Sequence, residues 1–171
     1  MDVLGISRSI NKGIRKIKLK KTMTKSNWKA RWNGMIKNGY GSRSFNNFMG
    51  PYNFASRVEN GNGDNPEQLI AAAHAGSLST YLTMLLAQEG LWPTNINTTA
   101  VVTLDKDHIG PSIIKIDLDC KVSCEGLSEE RLEKLASIAK AKCPVSRLCE
   151  GGTANITLTV SSVPVISLSL N

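Results

Sequence analysis

Three stretches of the chain predict an α+β domain: a long capped helical run opening with "NPEQLIAAAHAGSLS" at Asn65, a strand pair over residues 95–105 and 112–124, and a second capped helix starting after Ser128. In the first run Asn65 suits an N-cap and Pro66 the first helical position. Glu67 sits at the positive end of the helix dipole, and Gln68 is placed to close a capping box. The helix is predicted to reach about Gln88, where Gly90 stops it.

The other elements follow in order. Ahead of the long helix, Trp28 to Trp32 is predicted as a strand, "KNGYGS" (residues 37–42) as turn chemistry, and Tyr52 to Val58 as a later strand. "ENGNGDN" is the loop leading to Asn65. In the second strand of the pair, Ile114, Ile116, Leu118, Cys120, Val122 and Cys124 share one face and Lys115, Asp117, Asp119 and Lys121 the other. That is the pattern of a half-buried antiparallel strand, with "KDHIGP" as the turn before it. After Ser128, Glu129 and Glu130 occupy the first helical turn, and Leu132, Leu135, Ile138 and Ala139 form the inner stripe. Lys140 and Lys142 suit the end of this helix. "CPVSRL" reads as a short helix with Pro144 at its first position, and "TANITLTV" and "PVISLSL" as closing strands.

Composition sets bounds on function. The 171 residues fit one domain, taken as 23–171 behind a basic extension over 1–22. The net charge of +7 is concentrated in that extension: seven Lys and Arg against Asp2 alone leave only +1 for the rest. A nucleic-acid-tracking surface on the domain is therefore not expected. Ile6, Ile10, Ile14 and Ile17 form an apolar stripe on the basic segment. It fits a solvated tail, an organellar targeting segment or a membrane-surface helix. The cytoplasm is the expected location, or an organelle if residues 1–22 act as a targeting segment. No apolar run is expected to span a membrane. Cys120, Cys124, Cys143 and Cys149 suit free or redox-active thiols better than a disulfide framework. No cofactor is implied, and zinc is disfavoured because no C-x-x-C occurs and His74 and His108 lie far from the cysteines. Residues 69–86 are apolar nearly all round the helix, more than one small sheet can cover, so an intertwined homodimer is expected.

"NPEQLIAAAHAGSLS" and "KAKCPVS", with "ARWNG", "TNINTTAVVTLDK" and the helix after Ser128 in order, resemble the OsmC/Ohr family of osmotically inducible and organic-hydroperoxide-resistance proteins. His74 in "AAHA" and the "NTTA" strand favour the OsmC branch. The resemblance implies antiparallel sheets around two long central helices in an intertwined homodimer. It also implies thiol-dependent reduction of organic hydroperoxides in oxidative or osmotic stress, with a dithiol, often a lipoylated protein in the Ohr branch, as reductant. Residue by residue, Cys143 matches the resolving cysteine, Glu67 the activating glutamate and Arg57 the activating arginine, while the peroxidatic position falls on Ser77. A serine hydroxyl has neither the low pKa nor the recyclable sulfenic state that the cycle needs. Gly76 and Leu78 also depart from the family's usual A-C-F, which favours natural divergence over a deliberate Cys-to-Ser change.

Blander roles stand beside these. Glu67 suits a simple dipole partner, Arg57 a surface strand residue and Cys143 a buried small residue. Ser77 as a hydrolase nucleophile fails, because "AHAGSLS" is not G-x-S-x-G after a strand. Glu67 lies ten residues before Ser77, roughly 15 Å along one helix, so a shared site needs the other subunit's helix. Cys120 and Cys124 are too far apart on one strand to bridge and are read as core, as are Tyr81 and Met84. A Cys143–Cys149 disulfide is a weak option. The rival function is a non-catalytic binding protein that holds a lipid-like small molecule in the apolar interface pocket. A third reading moves the chemistry to Cys143.

Overall fold

The computed structural model describes residues 25–27, 29–35, 37–38, 40–45, 48–53, 55–56 and 63–165. The described residues form two three-stranded sheets and three helices: β1 (Lys29–Asn33), β2 (Tyr40–Phe45), β3 (Phe48–Asn53), α1 (Pro66–Gln88), β4 (Asn95–Lys106), β5 (Pro111–Ser123), α2 (Glu129–Lys142), α3 (Pro144–Cys149) and β6 (Asn155–Ser162). The basic extension, Arg57 and the closing "PVISLSL" strand beyond Val165 lie outside the described residues.

β1, β2 and β3 form an antiparallel meander. Two expectations are corrected here. The "KNGYGS" stretch turns only at residues 37–38, and from Tyr40 onward it is β2. The strand expected over residues 52–58 ends instead at Asn53. The Asn53 side chain accepts the Ser56 amide at 2.7 Å, and Ser56 Oγ stands 3.1 Å from the Asn53 amide nitrogen. This local capture draws the backbone away from the ladder, as short polar side chains do. Gly41 pairs with Tyr52 across β2 and β3, and a Cβ there would fall 2.3 Å from the tyrosine ring, so only glycine fits beneath it. Arg43 lies over the same ring, 4.9 Å from its centroid, and its Nη2 is 3.2 Å from Asp64 Oδ2, which ties the meander to the start of α1.

The second sheet has the order β4-β5-β6. β4 and β5 are antiparallel with a register shift at Thr103/Leu104. β6 runs parallel to β5, which corrects the expectation of purely antiparallel sheets. The cause is the connection: α2 and α3 intervene, and a chain that crosses over through helices returns in the same direction. Ile116, Leu118, Cys120 and Val122 face the helices, while Lys115–Asp117 and Lys121–Asp119 ion pairs mark the open face, as the alternation predicts. Ile114, expected on the inner face, is exposed and Ile113 packs on the core instead, because the register shift interrupts the alternation there.

α1 begins with the expected capping box: Asn65 Oδ1 accepts the Gln68 amide at 2.7 Å and Gln68 Oε1 accepts the Asn65 amide at 2.9 Å. Gly90, with φ of 75°, ends it. Its 23 residues are long and apolar enough to cross a bilayer by length and composition, which corrects the sequence expectation. Its Leu78, Leu82 and Leu86 are buried against the sheet and α2. The Ser128 hydroxyl caps α2. Leu132, Leu135 and Ala139 are buried as expected, while Ala136 takes the place foreseen for Ile138, which is only half-buried.

No described residue of the meander belongs to the main core. The opposite flank of α1 stays open, with Ala72, Ala73, Gly76, Thr80 and Thr83 exposed. Leu82→Ala is expected to destabilise the fold by about 3 kcal/mol, since the vacated space at the α1–α2 contact cannot collapse. Urea unfolding followed by circular dichroism measures this.

Candidate active site around Cys143 and Ser77

Pro144 decides where the Cys143 sulfur points. A residue before proline is pushed out of the helical region, and Cys143 has φ −57° and ψ 127°. α2 therefore ends and α3 begins at one residue: the Cys143 amide bonds to the Ala139 carbonyl at 2.8 Å, and the Arg147 amide bonds to the Cys143 carbonyl at 3.0 Å. The kink directs the side chain at α1, where Cys143 Sγ lies 3.1 Å from Ser77 Oγ. Sixty-six residues of sequence separate the two. Cys143 is fully buried and Ser77 half-buried.

One turn before Ser77 on the same face, the fully buried His74 places Nε2 2.8 Å from Ser146 Oγ. Ser146, also fully buried, is the third residue of α3, so α3 meets α1 through two polar contacts, Ser77–Cys143 and His74–Ser146. Burial and the nearby charge of Lys140 push the His74 imidazole below its usual value.

The four thiols divide sharply. Burial pushes Cys120, Cys124 and Cys149 up, so they are held as neutral thiols. Burial acts the same way on Cys143 but is outweighed there by the Ser77 hydroxyl and by the Ser146 amide and hydroxyl and the Val145 amide that face the sulfur, and the net shift is downward. Cys143 is the thiol poised to ionise. All four cysteines are free, so Cys143 and Cys149 form no disulfide, and Cys120 and Cys124 are core as expected. Tyr81 packs against the core.

Of the four residues the sequence singled out, Ser77 and Cys143 come together. Glu67 is buried in the first turn of α1, about 15 Å along the helix axis from Ser77. Arg57 lies outside the described residues. The His74–Ser146 contact was missed. The only signals in the sequence were the i, i+3 spacing of His74 and Ser77 and the serine inside "CPVS". Among the described residues no cluster of metal-ligating side chains occurs.

Residues 59–159 match the family model described as OsmC-like protein. The peroxiredoxin OsmC of Escherichia coli is 42% identical over 132 residues, which span 75% of this chain and 90% of that protein. The chain belongs to the OsmC family. Hydroperoxide resistance of the peroxiredoxin type is accordingly its family-level function. The fold agrees with that of an OsmC-like protein from Mycoplasma pneumoniae, with a TM-score of 0.68 and 13% identity, covering 83% of this chain and 99% of that one. It also agrees with an organic hydroperoxide resistance protein OsmC from Legionella pneumophila, with a TM-score of 0.63 and 21% identity, covering 81% and 99%.

The depressed His74 pKa gives this OsmC-family protein a pH signature. The folded state takes up the proton less readily than the unfolded chain. The stability tied to neutral His74 is thus complete above the ordinary imidazole pKa of about 6.5 and is lost as pH falls below it. Melting temperature is expected to fall less steeply between pH 6.5 and 5 in His74→Gln than in the unaltered chain, as differential scanning calorimetry measures.

Proposed function

We propose that this chain retains the peroxide-reducing pocket of the OsmC branch but lacks its first reactive sulfur. As written, it then reduces organic hydroperoxides slowly or not at all. The observation that carries the proposal is the partly buried 3.1 Å contact between Ser77 Oγ and Cys143 Sγ, a hydroxyl where the cycle needs a second sulfur. In that cycle a thiolate at position 77 attacks the terminal peroxide oxygen. The O–O bond breaks, the alcohol leaves, and the sulfur becomes a sulfenic acid. Cys143 displaces water to form a disulfide, which an external dithiol reduces. A disulfide needs about 2.05 Å between sulfurs, so the present contact would close by about 1 Å without a change of fold. Serine supplies neither the thiolate nor the sulfenic state, and Cys143 alone has no thiol opposite it to resolve an oxidised form. Arg57 and Glu67 take the activating roles that the family resemblance assigns them.

Ser77→Cys is expected to gain turnover of cumene hydroperoxide with a dithiol, dependent on Cys143 and weakened at least tenfold by Arg57→Ala. A coupled peroxidase assay reads this. Robust turnover by the unaltered chain, abolished by Cys143→Ser, would overturn the proposal and move the chemistry to the second motif. No activity in either form, with a lipid-like molecule retained on purification, would favour a binding protein.

The working unit we infer is a homodimer. What supports it is the open flank of α1: Ala72, Ala73, Gly76, Thr80 and Thr83 are exposed, a Cβ on Gly76 would meet nothing within 4 Å, and no described residue of the meander belongs to the main core. A partner subunit covering that flank would also bring its own Glu67 toward Ser77. Light scattering at micromolar concentration is expected to give twice the chain mass of 18.5 kDa.

A further inference from the structure

Two polar contacts join α1 to α3, with His74 Nε2 2.8 Å from Ser146 Oγ and Cys143 Sγ 3.1 Å from Ser77 Oγ, and Ser146 stands three residues after Cys143 in the first turn of α3, where its hydroxyl acts on the thiol. All but Ser77 are fully buried, out of reach of bulk water. The direction of each proton between them is therefore set by the groups themselves.

We propose that His74 is a positioning residue for Cys143: its Nε2–H is given to the Ser146 oxygen and turns the Ser146 hydroxyl so that its proton faces the sulfur. The argument begins at the far side of the ring. His74 Nδ1 is buried and has no hydrogen-bond partner among the described residues. A proton on Nδ1 would be an orphaned buried donor, which folded proteins rarely tolerate, whereas a bare lone pair costs less. The ring is therefore the Nε2–H tautomer, and Nε2 donates. Ser146 has a single proton. With its oxygen accepting from His74, that proton is free to turn toward Cys143. The reverse tautomer would draw the Ser146 proton to Nε2 and present an oxygen lone pair to the sulfur, which would repel a thiolate.

Burial and Lys140 both keep the ring neutral, so it remains a one-proton device. Besides His74 and Cys143, the titratable groups here are Lys140, which acts on the ring, and Cys149, at the far end of α3, on which Cys143 acts. The inference extends the reading of Cys143 as the reactive thiol but does not need Ser77 to have replaced a cysteine.

The test uses the full chain labelled with [15N]histidine and [3-13C]cysteine, which requires no reagent to enter the buried site. Nitrogen shifts of His74, told from His108 by a His108→Gln variant, are expected to show the neutral Nε2–H tautomer at pH 7. The Cβ shift of Cys143 followed against pH reads its ionisation. Ser146→Ala and His74→Leu are each expected to move its midpoint up by about one pH unit, or about tenfold less thiolate at a given pH below it. His74→Gln, which keeps an N–H at similar reach, is expected to return most of that shift. An Nδ1–H tautomer, or a midpoint unmoved in folded Ser146→Ala, overturns the proposal. So does a Gln variant that shifts as far as the Leu variant, since packing rather than the donor would then be at work. If His74→Leu fails to fold, the tautomer and Ser146→Ala decide alone. Peroxidase turnover by Ser77→Cys is a separate reading, so its failure would leave this result intact.

Discussion

Leu78, Leu82 and Leu86 recur at every fourth position of α1 and are closed off by the inner face of the β4-β5-β6 sheet and by Leu132, Leu135 and Ala139 of α2. This row sets the rotation of α1 about its own axis. With the leucines facing the sheet and α2, the neighbouring line of His74 and Ser77 must face α3. The position of Ser77 relative to Cys143 is thus a consequence of apolar burial elsewhere on the helix. Rotating α1 by one residue, about 100°, would expose the leucines and separate the two polar partners.

The seam between α1 and α3 carries a cost that the leucine row offsets. Burying an imidazole, two hydroxyls and a thiol is unfavourable unless they satisfy one another. They do so in pairs, leaving Nδ1 of His74 as the exception. The same burial has opposite outcomes for different cysteines. Burial, with Asp119 nearby, pushes the Cys120 thiol up in spite of the Thr98 hydroxyl at 3.3 Å, whereas the Ser77 and Ser146 hydroxyls and the amides opening α3 together outweigh burial at Cys143 and draw it down. Burial alone does not silence a thiol; the donors around it decide.

Much of the fold was legible because its signals are local. Asn65, Pro66 and Gln68 specify the start of α1 within one turn, and Gly90 its end. The alternation of β5 and the cap at Ser128 are equally short-range. The meander was harder to read. Asn53 captures Ser56 and diverts a stretch whose residue types favour a strand, and the glycine-rich start of β2 looks like a turn until Tyr52 covers Gly41. Ala136 rather than Ile138 is buried on α2, which packs against both α1 and β6, and helical periodicity alone does not contain that arrangement.

For the site, the sequence by itself determined the chemical inventory: a serine in the first motif, a cysteine held ahead of a proline in the second, and the kink that Pro144 imposes on Cys143. Only the tertiary structure decided that Ser77 and Cys143 touch, that His74 answers Ser146 across 72 residues of sequence, and that Cys143 alone among four thiols is drawn toward ionisation. The physical reason is range. Caps, turns and pre-proline geometry act over a few bonds and are written in neighbouring residues. Desolvation and hydrogen bonding at a buried sulfur depend on groups that become neighbours only after the leucine row of α1 has docked.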